Sequence, residues 1–310
     1  MDFLRLIDLK LRRLIFRAYE LIAPLVSRSG ITKVRLKEAT LGSKLSSLFF
    51  NFLSYNLPEP IEINGMIMYQ TLPDERGWFG LHYLLDYERE TRRAFEQIVK
   101  PGMTVVDIGA NIGYYTLLAA KLVGSYGKVY AFEPGPSYYT FLKKNIEANR
   151  LSAIVEPFRL AVGDTEKTAT LFLRNPTASS LFDITSITTD KTAIVDVISL
   201  DKFFGERNWV PVDIIKIDIE GAEKIALEGM RSLVKRNPEL KLIIEINPFC
   251  LDAAGISSED LLMLLCELGF NKVGVLLKGD GSYGIPQHIQ YLTNLARDIT
   301  CVNLLCERGL

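Results

Sequence analysis

The chain has 310 residues, of which 48% are hydrophobic and 24% are charged, a composition typical of a globular protein with one large domain. Its net charge of −1 argues against a protein dedicated to nucleic-acid binding. The charge is unevenly spread, because residues 1–50 carry +6 and the remainder carries −7.

The first 60 residues form a predicted helical extension. Apolar residues recur at 3-4 spacing over residues 1–26, which predicts an amphipathic helix whose other face is basic. The segment is too charged for a membrane-spanning helix and lacks a secretory cleavage site. The helix either packs on its own domain or a second subunit, or lies on an anionic membrane surface. Residues 27–60 read as an irregular or helical connector.

Residues 61–310 form the second predicted domain, in which 61–100 lead into a core at 101–310. Asn64-Gly65 stands between two short alternating apolar runs within 61–69, which is the strongest short hairpin signal. Residues 82–99 have the pattern of an amphipathic helix that Pro101-Gly102 ends.

From residue 103 onward, strands alternate with helices, which indicates βαβ units, a parallel sheet and an α/β fold. The predicted strands are 103–108, 128–134, 153–162, 212–220, 240–247, 272–277 and 300–307, with accessory strands at 169–174 and 192–200. The predicted helices are 112–123, 136–150, 221–237 and 257–268. The last two strands, joined by an irregular segment, could form an antiparallel edge pair.

The stretch VVDIGANIGYYT at residues 105–116 places an acid and two glycines where a strand gives way to a helix. In an open α/β sheet, ligands bind at the carboxyl ends of the strands. Gly109 and Gly113 allow a sharp turn and a close backbone approach to a ligand. Their spacing is not the GxGxxG that seats a pyrophosphate, and Asp107 disfavours a phosphate nearby.

The next predicted strand ends at Glu133, in AFEP. A carboxylate at that position can accept hydrogen bonds from both hydroxyls of a ribose. Asp107 and Glu133 together predict a pocket for a nucleoside that bears a positive group and no phosphate, and S-adenosylmethionine fits that description. Taken singly, Asp107 could instead cap the turn and Glu133 could be a solvated strand end.

Several stretches together resemble the FkbM family of S-adenosylmethionine-dependent methyltransferases. They are KPGMTVVDIGANIGYYTLLAAKLVGSYGKVYAFEP, ANRLSAIVEPFRLAVGD, ISLDKF, VDIIKIDIEGAEKIALEGM and LIIEI. The resemblance covers about residues 61–306 and leaves the first 60 residues outside. It implies a class I methyltransferase fold, Rossmann-like, with a seven-stranded sheet whose last strand is antiparallel. It also implies methyl transfer to a hydroxyl of a sugar, glycan or polyketide-like small molecule.

The resemblance also implies the cofactor site. The glycine turn would line the methionine end, Glu133 would hold the ribose, and Phe132 and Pro134 would flank the adenine. Tyr114 and Tyr115 could wall the methionine portion or serve as core residues of the helix. The implied cofactor-binding residues are Asp107, Gly109, Ala110, Asn111, Gly113, Tyr114, Phe132, Glu133, Pro134, Ala161 and Val162.

The strand DIIKIDIEGAE places Lys216, Asp218 and Glu220 two residues apart, on one face. Buried charges are costly unless paired, so we expect a Lys216–Asp218 pair. We interpret Asp218 as the base that takes the proton of the acceptor hydroxyl, with Lys216 orienting it and Glu245 as the second candidate. The pair could instead only stiffen the sheet.

We predict no metal site. Cys250, Cys266, Cys301 and Cys306 lie in apolar stretches without CxxC spacing, and the two histidines share no ligand motif. The thiols suit a reducing, cytoplasmic compartment better than disulfides or zinc. Oxygen ligands from Asp218, Glu220 and Glu245 could accept a divalent cation, but the spacing does not require one.

Two other classes of function compete with this interpretation. A nicotinamide-dependent oxidoreductase would show GxGxxG at the turn between the first strand and its helix, where GANIG stands instead. A peripheral membrane or scaffold protein would use the basic N-terminus and leave the acids at the strand ends without a role.

A nitrogen-directed methyltransferase would show [DN]PP[YF] after the fourth strand, where DIEGAE stands. Oxygen is therefore the favoured acceptor atom.

Overall fold

A computed structural model of the protein describes residues 60–69, 88–173, 179–184, 191–277, 282–299 and 301–308. The predicted N-terminal extension, with its partner or membrane contact, lies outside these residues and stays a prediction, as does the boundary at residue 60. Every helix in the described parts of the chain is too short or too polar to span a bilayer.

Fourteen strands occur among the described residues. They are β1 (Ile61–Ile63), β2 (Met66–Met68), β3 (Thr104–Ile108), β4 (Lys128–Phe132), β5 (Val155–Phe158), β6 (Ala161–Val162), β7 (Lys167–Leu173), β8 (Ser179–Ser180), β9 (Thr192–Ile198), β10 (Ile214–Ile217), β11 (Lys241–Ile246), β12 (Phe270–Val275), β13 (Ser282–Gly284) and β14 (Val302–Arg308).

The described α-helices number nine. They are α1 (Arg89–Ile98), α2 (Tyr114–Val123), α3 (Pro136–Ala148), α4 (Leu200–Gly205), α5 (Glu223–Glu228), α6 (Arg231–Arg236), α7 (Pro248–Ala253), α8 (Ser258–Glu267) and α9 (Ile285–Ile299). A short 3₁₀ helix, Gly124–Tyr126, follows α2.

The main sheet has eight strands in the order β13-β12-β14-β11-β10-β3-β4-β5. Strands β5, β4, β3, β10 and β11 pair in parallel, and β14 enters antiparallel between β11 and β12. An antiparallel last strand is what the resemblance implies. The additional strand, β13, pairs with β12 at the edge, so the sheet exceeds the predicted seven strands by one.

The end of the chain differs from the prediction. The last two predicted strands do pair antiparallel, but β14 lies inside the sheet rather than at its edge. The segment between them, expected to be irregular, forms β13 and the helix α9 in its described part. Helix α9 contacts α8, β12 and β14, so its apolar residues are covered by packing that the local pattern did not reveal.

Two other predicted elements are divided. The strand predicted at 153–162 becomes β5 in the main sheet and β6 in a separate sheet of order β6-β9-β7-β8. The helix predicted at 221–237 becomes α5 and α6, interrupted at Gly229. A Cβ on Gly229 would lie 1.9 Å from the carbonyl oxygen of Gly163, so the break lets the loop after β6 approach the backbone there.

The start of the described chain agrees with the prediction. Strands β1 and β2 form an antiparallel hairpin, and Asn64 and Gly65 at its turn have φ of 51° and 71°. Positive φ at both central residues is the geometry that Asn-Gly turns favour. Of the helix predicted at 82–99, the structure has α1, and residues 82–87 lie outside the described part.

Side chains alternate between the two faces of the main sheet, and each face is buried by its own set of helices. Val106, Ile215 and Ile244 belong to the core that includes α4 to α6 and α8. Val105, Ile214 and Ile243 belong to the core that includes the hairpin and α1 to α3. The charged residues at the ends of these strands lie on the same face of the sheet as Val105, Ile214 and Ile243.

Candidate functional site

One cavity of about 370 Å³ lies at the carboxyl ends of the central parallel strands. It sits where the strand order reverses, between β3 and β10, which is where open α/β sheets bind ligands. The predicted site residues that line it are Asp107, Gly109, Ala110, Asn111, Tyr114, Phe132, Glu133, Pro134, Ala161, Val162, Lys216, Asp218 and Glu245. Gly113 is not among the lining residues; it precedes α2 with φ of 100°.

Strand register explains why these charged residues converge. Lys216 is paired with Asp107 on one side and with Ile243 on the other, so their side chains share a face of the sheet. Glu133 and Glu245 lie two residues beyond Ala131 and Ile243 and therefore point to the same face. Four adjacent strands thus carry a charged residue at or just beyond their carboxyl ends.

Glu133 lies just beyond the end of β4 and is 5% exposed. Its carboxylate accepts hydrogen bonds from the backbone N–H of Gly135, at 2.7 Å, and of Asn111, at 2.8 Å. Burial raises its pKa to about 7, although these two hydrogen bonds favour the ionised form. The carboxylate is therefore fixed at the mouth of the glycine turn.

Asp107 is 2% exposed, and its Oδ2 accepts a hydrogen bond of 2.5 Å from the hydroxyl of Thr116. Burial raises the pKa of Asp107, and the charge of Lys216 acts in the opposite direction. Its Oδ1 is buried and has no hydrogen-bond partner among the described residues. A buried carboxylate oxygen without a donor is costly, and a ligand with an ammonium or hydroxyl group would satisfy it.

The glycine turn packs closely against the segment that follows β10. A Cβ on Gly109 would lie 1.9 Å from the carbonyl oxygen of Asp218, and the φ of Gly109 is 83°. Only glycine fits both the backbone conformation and the contact. Gly109 therefore allows the turn to pack directly against the backbone of Asp218.

The predicted pair at the fourth strand is present. Lys216 Nζ lies 2.9 Å from Asp218 Oδ2, and the two side chains are 3% and 28% exposed. Burial alone would lower the pKa of Lys216, but the carboxylates of Asp218, Glu88 and Asp107 together raise it. The sequence predicted a strand over residues 212–220 that includes Asp218 and Glu220. In the structure β10 ends at Ile217, so both residues lie beyond the strand.

Glu245, at the end of β11, is 7% exposed and accepts a hydrogen bond from the thiol of Cys301 at 3.2 Å. Burial raises its pKa well above the usual range, and the charges of Asp218 and Glu220 add to the effect. Asp218, Glu220 and Glu245 each place an oxygen within 4.8 Å of the others. These three carboxylates are the described side chains that could hold a divalent cation.

Glu88 is a site residue that the sequence did not indicate. It directly precedes α1 with φ of 55° and ψ of 34°, a left-handed conformation that is uncommon outside glycine. Its carboxylate accepts a hydrogen bond of 2.7 Å from the hydroxyl of Tyr115 and lines the cavity. Nothing in its local sequence distinguishes it from the other charged residues of an amphipathic helix, so only the fold reveals its position.

Two polar segments outside the central strands differ in their relation to the cavity. Ser179 and Leu181, from the polar segment 174–186, line the cavity. The described residues of the segment 278–292 do not line the cavity, because β13 lies at the far edge of the sheet. The cavity is also lined by residues that were not predicted as site residues, namely Ile108, Tyr138, Leu160, Leu171, Ile219 and Ala222.

The cavity fits the cofactor that the sequence predicted. Phe132, Tyr138 and Leu160 supply apolar surface beside Glu133, which suits a base next to a ribose. The unsatisfied oxygen of Asp107 suits the amino group of a methionine tail. The strand order and the position of this cavity define a class I methyltransferase fold.

The model of the Methyltransferase FkbM domain matches residues 107–272, just over half of the chain. The chain therefore belongs to the FkbM methyltransferase family, whose cofactor is S-adenosylmethionine. This family and the strand order favour a methyltransferase over the nicotinamide-dependent oxidoreductase that was considered as an alternative.

Relatives are similar over parts of their length. "Methyltransferase 1" of Beauveria bassiana is 28% identical over 145 residues, covering 41% of this chain and 57% of that protein. The hexuronic acid methyltransferase AglP of Haloferax volcanii is 26% identical over 161 residues, covering 52% of this chain and 60% of that protein. The chain thus spans at most about three fifths of these relatives. A SAM-dependent methyltransferase structure from Aquifex aeolicus has a TM-score of 0.40 and 16% identity, covering 72% of this chain and 89% of that chain.

Proposed function

We propose that the protein is an S-adenosylmethionine-dependent O-methyltransferase that acts on a hydroxyl of a sugar, glycan or polyketide-like small molecule. The observation that carries this proposal is that Glu133 and Asp218 line one continuous cavity. Strands β4 and β10 are two positions apart in the sheet, which places these carboxylates about 10 Å apart laterally. Glu133 could therefore hold the ribose while Asp218 faces the acceptor hydroxyl in another part of the same cavity.

The cofactor half of the cavity lies over β3 and β4. Glu133 would accept hydrogen bonds from the ribose hydroxyls while the N–H groups of Asn111 and Gly135 hold it in place. Phe132 and Pro134 would flank the adenine, and the backbone at Ala161 and Val162 would meet its edge. Asp107 would accept from the amino group of the methionine tail through its unsatisfied Oδ1.

The cofactor, when bound, supplies an electrophilic methyl group on a sulfonium. In transfer to a hydroxyl, the acceptor oxygen would gain the methyl group, S-adenosylhomocysteine would leave, and the hydroxyl would lose its proton. The hydroxyl proton passes to Asp218, which we propose as the base. Lys216, held at 2.9 Å from Asp218, orients this carboxylate, and Glu245 is the second candidate for the base. Alignment in the cavity provides the remaining acceleration.

A sugar is the favoured acceptor class, because one relative bears the name of a hexuronic acid methyltransferase. The proposal is tested by calorimetry with S-adenosylmethionine and S-adenosylhomocysteine, followed by transfer of a radiolabelled methyl group to a panel of hydroxylated acceptors. We expect micromolar binding of both ligands and alkali-stable label in an acceptor. Failure of both ligands to bind the folded protein would refute the proposal and would leave the scaffold function as the alternative.

A further inference from the structure

Two asparagine side chains fasten the hairpin β1–β2 to helix α3. Asn149, directly after α3, accepts a hydrogen bond from the N–H of Ile67 at 2.9 Å and donates to its carbonyl at 2.7 Å. Asn145, one turn earlier, accepts from the N–H of Tyr69 at 2.6 Å and donates to its carbonyl at 3.1 Å. Four helical residues and two strand residues each span about 6 Å, so the two side chains meet alternate residues along one edge of the hairpin.

Asn145 also contacts the glycine turn that follows β3. Its Nδ2 donates a further hydrogen bond, of 2.8 Å, to the carbonyl of Ile112. Ile112 precedes α2, which begins at Tyr114, so this carbonyl lies outside the hydrogen-bond ladder of the helix. Ile112 and Asn145 are 1% and 0% exposed, and a buried carbonyl needs a donor within the protein. Asn145 therefore connects the hairpin to the turn with both of its amide hydrogens.

The peptide of Ile112 is linked in turn to the carboxylate proposed to hold the ribose. The N–H of Ile112 donates to Oδ1 of Asn111 at 2.7 Å, and the N–H of Asn111 donates to Glu133 at 2.8 Å. Asn111 has φ of 52°, a left-handed conformation that is uncommon outside glycine and is kept only where the surroundings hold it. The hydrogen bonds from Asn145 through Ile112 supply part of that support.

The turn of the hairpin is attached to the same region. Asn64 donates from Nδ2 to the hydroxyl of Tyr114 at 2.9 Å, and Tyr114 lines the cavity. Lys121 of α2 donates to the carbonyl of Gly65. The hairpin thus contacts the glycine turn and α2 from both of its ends, although it lies outside residues 107–272, which the family model matches.

We propose that Asn145 is a positioning residue for cofactor binding and that the hairpin, residues 61–69, belongs to the same binding unit. Asn145 lies behind the described residues that line the cavity and acts through the carbonyl of Ile112, which orients the N–H of Asn111 toward Glu133. The inference rests on the proposed binding of S-adenosylmethionine at the glycine turn. A role in packing alone would affect stability and leave the affinity for the cofactor unchanged.

Asn145→Ala and Asn149→Ala form a matched pair of variants. Each removes the side-chain hydrogen bonds to one residue of the hairpin, and only Asn145→Ala also releases the carbonyl of Ile112. Affinity for S-adenosylhomocysteine is measured by calorimetry, at a temperature well below the melting of either variant. We expect Asn145→Ala to bind at least tenfold more weakly than the wild type and Asn149→Ala to stay within threefold of it. Wild-type affinity in Asn145→Ala, or an equal loss in the two variants, would overturn the role of Asn145.

A second measurement uses the wild-type chain and does not depend on the folding of a variant. Coupling is reciprocal, so a ligand that binds more tightly when the hairpin contacts are formed must also favour those contacts. We expect S-adenosylhomocysteine to slow amide hydrogen exchange at least threefold in peptides covering residues 61–69. The antiparallel pair β12–β13, at the far edge of the main sheet, is the control and should change less than the hairpin. Unchanged exchange in the hairpin, or equal slowing in both pairs, would overturn the proposed coupling.

The two measurements separate this inference from the proposed function. Binding of S-adenosylhomocysteine to the wild type, without an effect of Asn145→Ala and without protection of the hairpin, would reject the positioning role alone and leave the proposed methyl transfer intact. A folded wild-type protein that does not bind S-adenosylhomocysteine would refute both.

Discussion

Glu133 Oε2 accepts a hydrogen bond of 2.8 Å from the backbone N–H of Asn111, which joins the end of β4 to the glycine turn after β3. This contact keeps the carboxylate in place before any ligand arrives, so the proposed binding of a ribose would require little rearrangement. Because burial also raises the pKa of Glu133 to about 7, the carboxylate is only partly ionised at neutral pH.

We predict that the affinity for S-adenosylhomocysteine depends on pH through Glu133. The ionised carboxylate accepts two ribose hydroxyls, whereas the protonated form loses acceptor capacity. Affinity should therefore fall as the pH drops below the pKa, by about tenfold between pH 8 and pH 6. Calorimetry at both pH values measures the change.

Glu133→Gln should bind the ligand at least tenfold more weakly and should lose most of the pH dependence. Glu156→Gln, at a partly exposed position on the neighbouring strand β5, is the control and should retain the wild-type profile. An unchanged affinity in Glu133→Gln would exclude the ribose-binding role.

The fold was predictable from local patterns to the extent that each element buries its own apolar face. The βαβ alternation indicated the parallel sheet, and Asn64-Gly65 indicated the hairpin. The position of β14 inside the sheet could not be predicted, because strand order depends on contacts between distant residues. The same applies to the break at Gly229, which follows from its approach to Gly163.

The candidate site was predictable where a residue type at a strand end has a chemical reason to be there. Asp107, Glu133 and Lys216 with Asp218 were found in this way, and the structure brings them to one cavity. Their roles in binding and catalysis stay predictions. Glu88 was not found, since its side chain reaches the site through a left-handed backbone turn before α1, and no periodic pattern encodes that turn.

Asp218→Asn should retain the cofactor and lose turnover. Asparagine keeps the shape and one acceptor oxygen but cannot take the proton of the hydroxyl, so kcat should fall by about 10²- to 10⁴-fold. Cofactor affinity should change less than threefold by calorimetry. Thermal melting of the same variant measures how much stability is lost when Lys216 no longer has an ionised partner. Full activity would remove Asp218 as the base, and Glu245→Gln would then be examined.

Methyl transfer should not require a divalent cation. Asp218, Glu220 and Glu245 could bind one, but the ammonium of Lys216 already lies 2.9 Å from Asp218 and supplies positive charge to this cluster. We expect equal rates in EDTA and in millimolar magnesium. A rate that EDTA abolishes and magnesium restores would show that the three carboxylates form a metal site.

Gly109→Ala should disrupt the cavity through backbone strain and through overlap of the new Cβ with a neighbouring carbonyl. Gly102→Ala is the control that introduces the strain without the overlap. Both glycines have positive φ, 83° at Gly109 and 84° at Gly102. A Cβ at Gly102 meets nothing within 4 Å, whereas one at Gly109 would overlap the carbonyl oxygen of Asp218. We expect Gly102→Ala to lose about 1 kcal/mol of unfolding free energy from backbone strain. Gly109→Ala should lose several-fold more unfolding free energy than Gly102→Ala, as measured by urea titration, and should no longer bind the cofactor. Equal losses would mean that the contact with Asp218 is not tight.

The pH dependence of stability should be carried in part by Glu223, at the start of α5. Its carboxylate is 2% exposed and accepts hydrogen bonds from the N–H groups of Gly221, at 2.9 Å, and Ile219, at 3.3 Å, which fixes the loop after β10. Burial raises its pKa to about 8, above the value near 4.5 of an unfolded glutamate. The folded state therefore binds more protons than the unfolded state between these values, and the unfolding free energy should decrease as the pH rises from 5 to 8. The decrease from this residue is about 3 kcal/mol by linkage.

Urea titrations across this range should give a shallower pH dependence for Glu223→Gln than for the wild type, and Glu228→Gln, later on the same helix, should follow the wild type. Parallel curves for Glu223→Gln and the wild type would show that Glu223 is ionised in the folded protein throughout this range.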